Sequence, residues 1–225
     1  MAQDTVHAQG RSTYDVHIEI DIDCEELLDD AGEPDFDADA TRQRQQRSML
    51  RTSNLPLEEV TIAEALREHG YRTAFMGKWH LGTETYYYPE HQGFDVNIAG
   101  RDYGAPGSYF FPFTGKWKIP SPGQTLHKKQ PLAGKKGDYL VDLLAEEAES
   151  FIQKNADKPF FLMLSHYAAH TPLQGKPEKV AKYEAVAKAK RQGKPAYAAM
   201  VESVDDSVGR VTGVLRELGL DKNTL

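Results

Sequence analysis

Lys78 and His80 stand two residues apart within His69-Gly70-Tyr71-Arg72-Thr73-Ala74-Phe75-Met76-Gly77-Lys78-Trp79-His80-Leu81-Gly82. The pair suits a doubly charged oxyanion, because lysine supplies fixed positive charge and histidine a proton near neutral pH. A second cluster lies in Ser165-His166-Tyr167-Ala168-Ala169-His170-Thr171-Pro172-Leu173, where Pro172 stiffens the segment. If the strands before the two clusters are neighbours, Lys78, His80 and His170 converge on one anion. The chemistry would be sulfuryl or phosphoryl transfer, which needs charge neutralised on equatorial oxygens and a proton delivered to the leaving alcohol. Blander readings stand beside this one. A lone histidine after a strand is commonly a solvated loop residue, and Lys78 alone is an ordinary surface charge. His166 and His170 also form a zinc-like pair, but no third ligand follows at suitable spacing.

The elements that must position these residues are legible from about Leu55. Thr61 followed by Glu64 is a capping box, and Ile62, Ala65, Leu66 and His69 keep helical spacing until Gly70 closes the helix. Tyr71 to Met76 then reads as a strand, with Gly77 permitting the turn and Trp79 packing against the sheet edge. Asp138 is a candidate cap for a helix whose Leu140, Leu143, Leu144, Glu147 and Phe151 share a face, ending near Asn155. After Pro159, the run from Phe160 to Ser165 is apolar on both faces, as a buried parallel strand would be. A last helix from about Pro195 places Met200, Val204, Val208, Val211, Leu215 and Leu218 on one side and stops at Gly219. Helix–strand order of this kind predicts an α/β sandwich with a mostly parallel or mixed central sheet. Gly and Pro density marks an irregular, Tyr/Phe-rich insertion over about 100–137, expected on the substrate side.

The remaining polar positions carry less. Asp205-Asp206 on the last helix is an acid pair that local capping or pairing explains as well. Gly93-Phe94-Asp95 reads as a turn into a short strand whose Phe plugs the core. Residues 1–50 hold 13 Asp/Glu against 4 Arg within a chain of net charge −7. This stretch reads as an acidic, mostly irregular leader with one alternating segment, Val16 to Asp23. Asp21, Asp23, Asp29 and Asp30 lack the glycine-punctuated spacing of a calcium loop. The single cysteine, Cys24, excludes an intramolecular disulfide and has no basic neighbour in sequence to activate it. No basic stripe interleaved with aromatics argues for nucleic acid, and no apolar run reaches membrane-spanning length. Without a signal-peptide pattern the default compartment is cytoplasmic.

From about Asn54 onward the chain resembles the type I sulfatases of the alkaline phosphatase superfamily. The resemblance rests on Leu55-Pro56-Leu57-Glu58-Glu59-Val60-Thr61-Ile62-Ala63-Glu64-Ala65-Leu66, on Gly77-Lys78-Trp79-His80-Leu81-Gly82 and on His91-Gln92-Gly93-Phe94-Asp95. It continues at His170-Thr171-Pro172-Leu173-Gln174, at Met200-Val201-Glu202-Ser203-Val204-Asp205-Asp206-Ser207-Val208-Gly209 and at the closing Gly219-Leu220-Asp221-Lys222-Asn223-Thr224-Leu225. The resemblance implies an alkaline-phosphatase-like sandwich over 51–225 and sulfuric ester hydrolysis, with a small-molecule or carbohydrate sulfate ester as partner. It implies that the counterparts of Lys78, His80 and His170 surround the sulfate. It further implies a calcium or similar divalent ion held by Asp and Asn, and a formylglycine nucleophile made within Cys/Ser-x-Pro-x-Arg. That motif does not occur here, since Cys24 is followed by Glu-Glu-Leu. The family's Ser-Asp-Asn-Gly segment would follow Leu225. The expectation is therefore a partial sulfatase domain, inactive alone and poorly soluble through exposed sheet edges. The alternatives are a phosphate-ester or phosphonate hydrolase of the same superfamily, and a non-catalytic remnant that binds an anion or a protein.

Overall fold

Thr61 starts the first helix in the way its sequence requires. In the computed structural model its hydroxyl accepts the Glu64 backbone N–H at 3.1 Å while the Glu64 carboxylate accepts the Thr61 N–H at 2.8 Å. The structure describes residues 54–82, 85–114, 132–186 and 193–225, all within one unit, Leu50–Leu225. The acidic leader, its Val16–Asp23 pattern, Cys24 and the aspartate cluster lie outside the described residues. Helix α1, Ile62–Glu68, is closed at Gly70, whose φ of +82° is the left-handed turn that glycine adopts without strain. The Thr61 hydroxyl also donates to the Gln92 carbonyl at 2.9 Å, so the cap ties α1 to the following loop. Thr61→Ala is expected to lower stability by about 1–2 kcal/mol, read as a shift in the urea midpoint without loss of the fold.

Among the described residues, strand β1, Arg72–Gly77, lies at the centre of a three-stranded parallel sheet, between β2, Val96–Ile98, and β3, Phe160–Ser165. The β1–β3 register runs from Arg72 opposite Phe160 to Gly77 opposite Ser165, so both strands finish at the same level. Thr73 and Asp95 fasten the other end: Asp95 Oδ2 accepts the Thr73 N–H at 3.1 Å, and Arg72 pairs with it at 3.2 Å. The Gly93-Phe94-Asp95 block is thus a structural fastener at the end of β1 remote from Lys78, with Phe94 buried as its apolar character demands.

Alternation along the strands divides the core in two. Ala74, Met76 and Ile98 face helix α2, Leu140–Lys154, with Leu162 and Leu164 packed beside them. Phe75 faces the other way, into a cluster with Ala63, Trp79, Tyr88 and Phe94, and Phe161 packs on it. Trp79 meets Phe75 and Phe94 edge-to-face at 5.1 and 6.2 Å and donates its indole N–H to the Tyr87 carbonyl at 2.9 Å. These are the favoured geometries for buried aromatics.

Three sequence-based expectations need correction. Asp138 does not cap α2: its carboxylate accepts the Lys135 N–H at 2.7 Å, and the Leu140 N–H is met instead by the Tyr109 carbonyl at 2.8 Å. The loop at Tyr109 therefore supplies what a side-chain cap would have given. Strand β3 is only partly buried, with Met163 44 % exposed, because among the described residues it is paired on one edge and sparsely covered on the Phe161–Met163 side. Helix α4, Pro195–Glu217, buries Ala199, Met200, Ser203, Ser207 and Val214, leaving Val208 exposed. Small residues let α4 approach α2 closely, and Arg210 fixes its rotation by gripping Glu149 with two 2.7 Å bonds. One further helix, α3 (Pro177–Glu184), escapes the periodicity because it is mostly polar; it is held to α4 by Lys179 on Asp206 and Lys182 on Glu202. Among the described residues no helix is long and apolar enough to cross a membrane.

Candidate functional site

Beyond Gly77 and Ser165 the two strands release their loops side by side. The Lys78 N–H donates to the Ser165 carbonyl at 2.7 Å, and the Ser165 hydroxyl donates to the Lys78 carbonyl at 3.0 Å. The two candidate clusters thus start from one pinned point at the carboxyl end of a parallel sheet, where open α/β sheets bind ligands. Gly77 makes the pinning possible: its φ is +109°, and a Cβ there would fall on the Ser165 carbonyl. Lys78 is half-buried, and among the described residues no carboxylate pairs with its ammonium.

His80 is exposed and takes the left-handed conformation, φ +59°, which a non-glycine residue adopts only when its surroundings hold it there. Its backbone N–H donates to the Arg101 carbonyl at 2.8 Å, and Gly104 lies against its imidazole. Arg101 is buried, with its guanidinium 5.3 Å from the centre of the Tyr88 ring, so it anchors this loop.

On the β3 side, the His170 N–H closes a turn onto the Tyr167 carbonyl at 3.0 Å, and the exposed imidazole of His170 has Nδ1 beside Thr171. The Tyr167 hydroxyl donates to the Ala99 carbonyl at 2.9 Å. The Tyr109 hydroxyl lies 2.8 Å from the Tyr167 carbonyl and 2.9 Å from the His170 carbonyl, its one hydrogen shared between them. Burial pushes both phenols well above the ordinary tyrosine range, so both remain neutral donors at any working pH. Gln174 completes the frame by accepting the Tyr109 N–H at 2.8 Å, while its own carbonyl accepts the Tyr139 hydroxyl at 2.8 Å.

His166 turns away from His170. Its Nε2 lies 2.9 Å from the Ser207 hydroxyl of α4, and burial lowers its pKa to about 4. The zinc-like pair is therefore divided between two environments. Asp206 is engaged with Lys179. Tyr109, Tyr167 and Arg101 went unnoticed in the sequence because their contribution is through main-chain contacts. The usable signal was the run of tyrosines near two loops, since a buried phenol must find an acceptor.

The family model described as Sulfatase matches residues 38–225. The chain belongs to the sulfatase family. It is 30% identical over 180 residues to N-acetylgalactosamine-6-sulfatase of Mus musculus, covering 76% of this chain and 32% of that protein. It is 31% identical over 196 residues to arylsulfatase A of Homo sapiens, covering 76% of this chain and 35% of that one. The crystal structure of Ps i-CgsB in complex with k-i-k-neocarrahexaose aligns with a TM-score of 0.60 and 30% identity over 76% of this chain and 40% of that one. The chain thus spans about a third of the length of the curated relatives it matches. Its α/β fold is alkaline-phosphatase-like, and the phosphate-ester and remnant alternatives are not favoured by these likenesses. Sulfatases as a family use Ca²⁺ and formylglycine. The described residues do not offer a donor set for such an ion, since no three His, Cys, Asp or Glu side chains among them are placed to hold one.

Proposed function

We propose that the sheet end carrying Lys78, His80 and His170 binds the sulfate group of a carbohydrate sulfate ester, as part of a sulfuric ester hydrolase. The observation that carries this reading is the pinned start of both loops, Lys78 N–H on Ser165, with no carboxylate on Lys78 among the described residues. The lysine ammonium neutralises the sulfate oxygens, and the two imidazoles donate hydrogen bonds to them or a proton to the leaving alcohol. Sulfate is favoured over phosphate by family membership, and a carbohydrate ester by what the mouse relative's name states and by the hexaose bound to Ps i-CgsB.

Inorganic sulfate titrated into the chain at pH 7 tests the reading. Lys78→Ala is expected to weaken binding about tenfold or more, the scale of one charge-assisted hydrogen bond. Equal affinity in wild type and variant would refute it. With a chromogenic aryl sulfate and added Ca²⁺, these 225 residues alone are expected to give little or no turnover, because charge and orientation without a nucleophile leave most of the barrier standing. Robust turnover that Lys78→Ala abolishes would direct attention to Cys24, examined by mass spectrometry for an aldehyde.

A further inference from the structure

The two histidines come from different strands, yet one segment touches the supports of both. Ala99, at φ +61°, receives the Tyr167 hydroxyl. Two residues on, the Arg101 carbonyl receives the His80 N–H, and Gly104 presents bare backbone to the His80 ring. A Cβ at Gly104 would lie 2.7 Å from Cε1, closer than packed atoms tolerate, and 3.1 Å from each ring nitrogen, so the ring would have to shift. Five residues later Tyr109 reaches across to the carbonyls of Tyr167 and His170. The segment is itself fixed at both ends: Arg101 lies over Tyr88, and the Tyr109 N–H is bound by Gln174.

We infer that the segment from Ala99 to Tyr109 is a clamp that sets the two histidines relative to each other, with Gly104 the positioning residue for His80 and Tyr109 the positioning residue for His170. The inference rests on the sulfate-site reading above for its functional meaning, and on the contacts alone for its structural content. Neither residue touches the anion. Gly104 acts on the His80 ring and Tyr109 on the main chain that carries the His170 ring, so each effect on anion binding should vanish when that imidazole is removed, which a general loosening of the fold would not do.

The experiment uses the 225-residue chain labelled at histidine, with imidazole resonances and inorganic sulfate affinity measured for Tyr109→Phe and Gly104→Ala, each alone and combined with His80→Ala or His170→Ala. Tyr109→Phe keeps the ring and removes the hydroxyl, leaving the Tyr167 and His170 carbonyls without this donor. It is expected to shift the His170 resonances and not those of His80, and to weaken sulfate binding about fivefold, the scale of one lost hydrogen bond. Combined with His170→Ala it should add no further loss. Gly104→Ala should act in the same way on His80. If it prevents folding, the chain carrying both Gly104→Ala and His80→Ala should fold again, because the colliding ring is gone. If wild type fails to bind sulfate, selective resonance shifts still support the clamp while the anion reading falls. Shifts spread over all histidines, or affinity losses of the same factor with and without the partner histidine, would overturn the clamp. Failure of His80→Ala to rescue a misfolded Gly104→Ala would do the same.

Discussion

Gly77→Ala is expected to abolish stable folding, because among the described glycines a Cβ here would make the closest approach to a neighbouring backbone. Two costs combine at this position. The first is the φ of +109°, strained for any L residue with a Cβ and worth about 1–3 kcal/mol. The second is collision, because the added carbon falls on the Ser165 carbonyl, a main-chain group that β1–β3 pairing and the Lys78 N–H hold in place. Backbone atoms in a ladder cannot swing aside as a flexible side chain can. Relief would require unzipping the ends of both strands, which carry the two clusters. Together these costs should exceed about 4 kcal/mol, the range reached only by a few named mechanisms. Gly137 provides the control: its φ is +99°, but nothing lies within 4 Å of an added Cβ. Gly137→Ala should therefore lose only the conformational cost, about 1–2 kcal/mol. Urea unfolding of both variants separates the two terms, and a Gly77→Ala midpoint no lower than that of Gly137→Ala would show that the close approach to Ser165 is not needed.

The contrast between these glycines also shows what the sequence could disclose. Gly70 and Gly77 were both readable as turn residues from their place after a helix and a strand. That Gly77 also faces a neighbouring backbone depends on β3, which arrives 83 residues later. Local patterns delivered α1, α2, β1 and β3 almost to the residue, because capping, periodicity and Gly/Pro punctuation act within a few positions. They also placed Lys78, His80, His166 and His170 immediately after strands. They missed contacts in which one segment completes another. The N-terminus of α2 is met by the Tyr109 carbonyl, so the sequence offered Asp138 as a false cap. The buried stripe of α4 includes Ser203 and Ser207 beside Met200, with Val204 and Val211 packed partly buried against the core, so apolar spacing found the core-facing side but not the two serines that close packing and a partner for His166 bury. The helix Pro177–Glu184 is held by ion pairs to α4, and no apolar period announces it.

The same Ser207 contact makes His166 the residue through which acid should loosen this fold. Its Nε2 is bonded to Ser207, while Nδ1 is buried with no partner among the described residues. Protonation would place a second N–H, and a charge, where nothing accepts them. Burial accordingly holds the folded-state pKa at about 4, against the ordinary value of 6.5. Above pH 6.5 the ring is neutral in folded and unfolded chains alike and costs nothing. As pH falls from 6.5 toward 4 the unfolded chain takes up a proton that the folded chain refuses, so stability declines. Below about 4 both states are protonated and the loss levels off, at a total on the order of 3 kcal/mol. Glu147, which burial raises, works in the opposite sense, but it is common to wild type and variant and cancels in the difference. The measurement is the urea midpoint of wild type and His166→Gln between pH 7.5 and 4. The variant keeps a polar partner for Ser207 without a titrating ring, so the wild type should lose stability faster over this window, and parallel curves would sink the assignment. Because His166 directly precedes the Tyr167–His170 turn, the same acid step should release that loop from α4 before the sheet itself gives way. The His170 resonances should then broaden at a lower urea concentration than those of His69 on the far side of β1.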